Sequence, residues 1–133
     1  MNTNRESELV DCSEELIDKV LTAATNVHRT LGPGLLESVY ELALMIELQE
    51  MRIAACRQVE IPVIYHGRDL GTGFRADVIV EECLLLELKS IDTFAPIHLA
   101  IVINYLKLLR LKRGFLLNFN VPLLKNGIKR VSI

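Results

Sequence analysis

Glu87 and Lys89 are the residues best placed to do chemistry together, because Leu86-Glu-Leu-Lys-Ser sets a charged pair in the most apolar part of the chain. Cys83 to Leu86 and Leu88 read as a buried strand. Side chains two apart on a strand share a face, so Glu87 and Lys89 project together. Ten residues before Glu87, Phe74-Arg-Ala-Asp-Val-Ile-Val places a lone carboxylate, Asp77, in a second apolar strand. A hairpin turning at Glu81–Cys83 sets Asp77 opposite or nearly opposite Glu87. Burying these charges unpartnered is costly, and a buried ion cluster is an unreliable source of stability. Two acids and a lysine on one face of a hairpin therefore point to a divalent-metal site before a purely structural ion network.

The elements that must hold this face follow from the periodicity. Ser13 caps a first helix with Glu14 and Glu15 in its opening turn, and Leu16, Ile17, Val20, Leu21, Ala24, Val27, His28 and Leu31 form its apolar stripe. Gly32-Pro-Gly34 breaks the chain before a second helix, about Leu35 to Met51. Gln58 to Tyr65 alternates as a strand, with Pro62 hinting at an edge or bulge, and His66-Gly-Arg-Asp signals a turn. Strands at Gly71–Val80 and Cys83–Lys89 complete an antiparallel meander. Thr93 or Asp92 caps a third helix from Pro96 to Arg113, which Gly114 ends. Phe115 to Asn120 and Gly127 to Ile133 are the last strands. A strand, a helix and a further strand imply a crossover. The reading is an α/β (α+β) fold of order ααβββαββ: a mixed central sheet flanked by helices, with residues 1–12 flexible and 13–133 one domain.

Half of the 133 residues are hydrophobic and the net charge is −2. That balance disfavours a strong, nonspecific nucleic-acid binder, yet the charge is unevenly spread. Residues 1–60 carry five basic and eleven acidic side chains, residues 61–133 ten and six, and no acid follows Asp92. Lys112, Arg113, Lys125 and Arg130 are candidate phosphate contacts within that basic part. No apolar run reaches membrane-spanning length, so no membrane partner is expected and the protein reads as cytoplasmic. Cys12, Cys56 and Cys83 have neither zinc-ligand nor disulfide spacing.

The order Gly34-x-x-Glu37-x-x-Tyr40, Arg75-Ala-Asp77, Glu87-Leu-Lys89, Asn104-Tyr-Leu-Lys and Gly114-Phe-Leu-Leu-Asn-Phe resembles the GxxExxY protein family of the PD-(D/E)XK nuclease-like superfamily. The resemblance runs from about Leu16 to Val131 and implies a restriction-endonuclease-like core. It implies Asp77, Glu87 and the Leu88 carbonyl as ligands of Mg²⁺ or Mn²⁺, with Glu37 adding a carboxylate. It implies Lys89 as the residue that positions water or stabilises phosphate charge. The activity implied is metal-dependent hydrolysis of DNA, or less readily RNA, by a chain that could pair as a homodimer. The alternative is a catalytically impaired module that binds nucleic acid or protein. One departure bears on this choice: where the family has His-x-Ala-Gln, this chain has His98-Leu-Ala-Ile101. In the superfamily that polar residue helps orient the lysine or the nucleic-acid backbone. His98 and Gln58 are candidate substitutes, and Tyr40 is an accessory candidate that reads as a packing residue with its hydroxyl satisfied at the edge of the site before a catalytic group.

Overall fold

Ser13 begins the ordered architecture as expected: its side chain accepts the Leu16 N–H at 3.1 Å, ahead of α1 (Glu14–Leu31). The computed structural model describes residues 8–71 and 73–133. The expected flexible start falls partly outside that range, at residues 1–7. Its remainder is tied down at Val10, whose N–H donates to the Arg110 carbonyl and whose carbonyl accepts the Lys112 N–H, both at 2.9 Å. Gly32, at φ 71°, ends α1 in a backbone shape that costs a glycine little. The second helix, α2 (Glu37–Glu50), follows directly and lies within the expected bounds.

The strands differ more from the expectation. β1 (Ala55–Ile61) starts earlier than Gln58 and stops before Pro62. It is an edge strand whose residues are mostly exposed, so its beginning lacks the alternation that marks a half-buried strand. Beyond Pro62, β2 (Ile64–Tyr65) and β3 (Arg68–Asp69) form their own small hairpin. β4 (Phe74–Val80) and β5 (Leu84–Lys89) are the meander's second and third main strands; Thr72, within the predicted Gly71–Val80 strand, lies outside the described residues. The third helix, α3 (Pro96–Leu109), is capped at Ala95 rather than Thr93 or Asp92, and Arg110 in the left-handed region closes it before Arg113. Gly114 is no helix stop. It lies inside β6 (Arg113–Asn118), where an added Cβ would stand 3.0 Å from the Leu85 carbonyl oxygen and 3.3 Å from Leu106. Its missing side chain lets α3 settle on the sheet.

Among the described residues, three helices flank a five-stranded sheet of order β1-β4-β5-β6-β7, closed by β7 (Ile128–Ser132). β5 and β6 are parallel and joined through α3; the other pairs are antiparallel. This is the mixed α+β architecture that the element order implies. Leu84, Leu86 and Leu88 join α1 and α2 in one core cluster, whereas Leu85 joins Val102 and Leu106 of α3 in another. The sheet is thus covered on both faces, which explains the near-continuous leucines of β5.

Before β7, a 3₁₀ turn (Leu124–Gly127) brings Gly127 against the Asn118 carbonyl, where an added Cβ has no room. Asn118 pairs in register with Lys89. Gly127→Ala is expected to cost at least about 2 kcal/mol, because backbone must yield rather than a side chain. Urea denaturation measures this, and an unchanged midpoint would mean that the turn relaxes freely.

Candidate active site

β4 and β5 pair from Val80↔Leu84 to Val78↔Leu86, and the regular ladder then ends. The turn between them is Glu81–Cys83, with Glu81 and Glu82 at φ 49° and 56°. One step beyond the last pair, Asp77 faces Glu87, and carboxylates replace the missing ladder bonds. The Asp77 N–H donates to Glu87 Oε2 at 2.7 Å, and the Leu88 N–H donates to Asp77 Oδ2 at 2.8 Å. β4 rolls over at this point: Val78 and Val80 pack with α1 and α2, but Ala76 packs with the α3 cluster. The β1–β4 pairing skips Gln58 and Asp77, between Arg57↔Val78 and Val59↔Ala76, and Gln58 at φ 52° accommodates the roll. Asp77 consequently points along the sheet toward β5.

Burial is the main force on this pair. It raises the Asp77 carboxyl, with Glu41 and Glu37 adding to the effect and the Leu88 N–H and Lys89 opposing it. It pushes Glu87, only 5 % exposed, up to about 8, and the Asp77 charge contributes next. Two facing carboxylates out of water lack positive charge. Lys89, on the same face of β5, lowers both but makes no ion pair among the described residues.

The donor set fits a hard cation. Each acid commits one oxygen to a backbone N–H and retains the other. Because the N–H and C=O of a strand residue point to the same side, the Leu88 carbonyl also faces β4. Two carboxylate oxygens and a carbonyl suit Mg²⁺ or Mn²⁺, which retain several waters. Among the described residues, however, no three His, Cys, Asp or Glu side chains gather closely enough to form a complete protein cage.

Glu37 lies outside that inner pair. Its Oε2 accepts the Ser90 N–H at 3.2 Å, and the Ser90 hydroxyl donates to the Leu35 carbonyl at 2.7 Å. It therefore straps the start of α2 to the chain just after Lys89, while its charge is felt at Asp77. Sequence reasoning missed Glu41, one turn further along α2. Glu41 is 4 % exposed, receives Arg57 Nε and Gln58 Nε2 at 2.8 Å each, and adds to the field on both acids. Its signal was present: Glu37, Glu41, Leu44 and Leu48 share one helical stripe.

The accessory candidates are engaged elsewhere. His98 Nδ1 accepts the Ala95 N–H at 2.9 Å, so the ring caps its own helix. Gln58 supports Glu41. Tyr40 donates to the Gly32 carbonyl at 2.6 Å, accepts the Leu35 N–H at 3.1 Å and stacks on Phe119, pinning the turn between α1 and α2. Asn118 gained no role from the sequence, yet its side chain clamps both the N–H and C=O of Ile91, fixing the loop behind Lys89.

The basic residues are not gathered at the acids. Arg113 pairs in register with Leu84, at the opposite end of β5 from Lys89. Its guanidinium binds Asp11 and Glu14, and Arg130 binds Glu14 at 2.6 Å. These two arginines thus neutralise acids of the N-terminal segment, the partners that a count of basic residues after Asp92 overlooks. Lys112 precedes Arg113 at the same distant end. Lys125, in the 3₁₀ turn beyond β6, lies toward the end of the sheet that carries Lys89.

No helix among the described residues is long and apolar enough to cross a membrane. Comparison with curated proteins and with solved structures gives no match. The family model of the PD-(D/E)XK nuclease superfamily matches residues 14–131, which include α1, the acid-bearing hairpin and the closing strands. With this match spanning nearly the whole chain, and with paired acids and a lysine on adjacent strands of a mixed sheet, the chain belongs to the PD-(D/E)XK nuclease superfamily.

Proposed function

We propose that this chain is a divalent-cation-dependent nuclease that hydrolyses phosphodiester bonds, in DNA before RNA. The observation that carries the reading is the facing of Asp77 and Glu87 where the β4–β5 ladder ends, both raised by burial, with Lys89 on the same strand as Glu87. Asp77, Glu87 and the Leu88 carbonyl would hold Mg²⁺ or Mn²⁺, with Glu37 at the margin. Such an ion, when bound, supplies charge stabilisation for the phosphate and a more acidic water. The protein's own residues do the rest. Asp77 and Glu87 fix the site through backbone bonds that need no loop movement. Lys89 offers an ammonium to a phosphate oxygen as negative charge builds. Glu37 and Asn118 hold the loop that follows Lys89 from either side.

Nucleic acid is the proposed partner, with Lys125 as a backbone contact and Lys112, Arg113 and Arg130 as outlying ones. Pairing of two copies fits the exposed Val39, Leu42 and Ile46 on α2. A second reading, a nucleic-acid- or protein-binding module without catalysis, is favoured by Ile101, which cannot orient Lys89 or the backbone by hydrogen bonding. Nicking of supercoiled plasmid separates them. The nuclease reading expects relaxed product with Mn²⁺ or Mg²⁺ and none in EDTA. Salt-sensitive DNA binding with the plasmid intact under every metal condition would establish the module instead.

A further inference from the structure

On the α3 side of the sheet, Phe74, Ile101, Asn104, Tyr105, Lys107 and Leu108 line a cavity of about 440 Å³. The Phe74 and Tyr105 rings stand 6.1 Å apart between centroids and tilt by 56°. Phe74 is 45 % exposed and Leu108 42 %, so apolar surface is left uncovered here. Phe74 stands on β4 three residues before Asp77, and Tyr105 packs against the α3-side cluster that holds Ala76, next to Asp77, and Leu85, two residues before Glu87. The cavity therefore lies on the α3 side of the two strands that carry the acids, and after burial the charges of Glu87 and Asp77 raise the Tyr105 hydroxyl accordingly.

The chemistry of the lining selects among occupants. A nucleobase is flat and presents a π-face that stacks on aromatic rings whatever its identity. Phe74 and Tyr105 supply such rings, and Ile101 and Leu108 supply apolar walls. Asn104 places an amide that can both donate to and accept from a base edge. Lys107 adds an ammonium suited to a backbone phosphate. A base held within a duplex has its faces covered by neighbours and cannot enter; an unpaired one can.

We propose that this cavity receives one unpaired nucleobase of the strand whose phosphate lies at Asp77 and Glu87. The substrate is then single-stranded or locally unpaired nucleic acid, and Ile101 serves base binding rather than marking a lost function. This proposal rests on the nuclease reading.

Fluorescence anisotropy in EDTA tests it without cleavage. The probes are a short labelled oligothymidylate, the same strand with an abasic site moved along it, and the paired duplex. The intact strand is expected to bind tightest, with one abasic position weakening it. Phe74→Ala is expected to weaken the intact strand roughly tenfold and the strand with that abasic site hardly at all, while Phe74→Tyr retains binding. Equal affinity for intact and abasic strands, or an equal loss for both in Phe74→Ala, overturns the base pocket. So does a wild-type dimer that Phe74→Ala converts to monomer in sedimentation, because a second copy would then cover the cavity. A strand bound without regard to its bases but cut with Mn²⁺ removes this proposal alone. A strand neither bound nor cut removes the nuclease reading beneath it.

Discussion

Lys89→Ala is expected to slow phosphodiester cleavage by about 10³-fold, the scale on which single charge-stabilising groups act in other enzymes. Folding should be little affected. The Lys89 backbone is fixed independently of its side chain, because its carbonyl accepts the Phe119 N–H at 2.9 Å. The side chain makes no ion pair among the described residues whose loss would expose an orphan charge. Removing it also takes away a positive charge that lowers both Asp77 and Glu87. Lys89→Arg retains charge but carries a larger, planar head, so partial activity is expected. Single-turnover plasmid cleavage beside a thermal melt separates the two effects. Unchanged cleavage with Ala at 89 would remove this residue from the chemistry.

The second large effect is on stability, and its sign follows from Glu87. Its carboxyl is raised from 4.5 to about 8 in the folded protein, burial first and Asp77 second. Below 4.5 both folded and unfolded chains hold this proton, so nothing distinguishes them. Between 4.5 and about 8 the folded state alone retains it, and stability falls as pH rises through that window. The loss is about 5 kcal/mol at most, or on the order of 10–20 °C in Tm for a domain of this size. Glu87→Gln removes the titrating group and should flatten the metal-free Tm profile between pH 5 and pH 8.5, taken as roughly the ends of that window. It should raise Tm at the alkaline end. Mn²⁺ should restore the wild type at high pH and leave the variant unaltered, since bound cation favours the ionised acids. Parallel metal-free profiles for the two proteins would contradict the electrostatic account of the pair.

The acid-bearing hairpin was legible because its signals are local. Apolar runs fix the two strands, Glu81 and Glu82 mark the turn, and counting outward sets Asp77 opposite Glu87. The first helix was equally plain from Ser13 and its stripe. What failed depended on contacts distant in sequence. Gly114 looks like a helix stop, and only the approach of Leu85 and Leu106 reveals it as a packing residue. β1 was misplaced because an exposed edge strand need not alternate. The pairing of Arg113 and Arg130 with Asp11 and Glu14 was hidden as well, since the acids lie about a hundred residues away in the chain. Glu41 was overlooked because a helical glutamate normally faces solvent, whereas here Arg57 and Gln58 arrive from β1 to support it. The polar requirements of the core are met in full: among the described residues, no buried side-chain nitrogen or oxygen lacks a partner.

The central claim is that Asp77 and Glu87 together hold a divalent cation, and calorimetric titration of Mn²⁺ into wild type and Asp77→Ala tests it most directly. The account predicts a saturable isotherm for the wild type, with proton release that grows as pH is lowered from 8 toward 6, taken as roughly the range in which Glu87 titrates. It predicts no measurable binding by Asp77→Ala. Equal heats from the two proteins, in a variant that melts like the wild type, would contradict it.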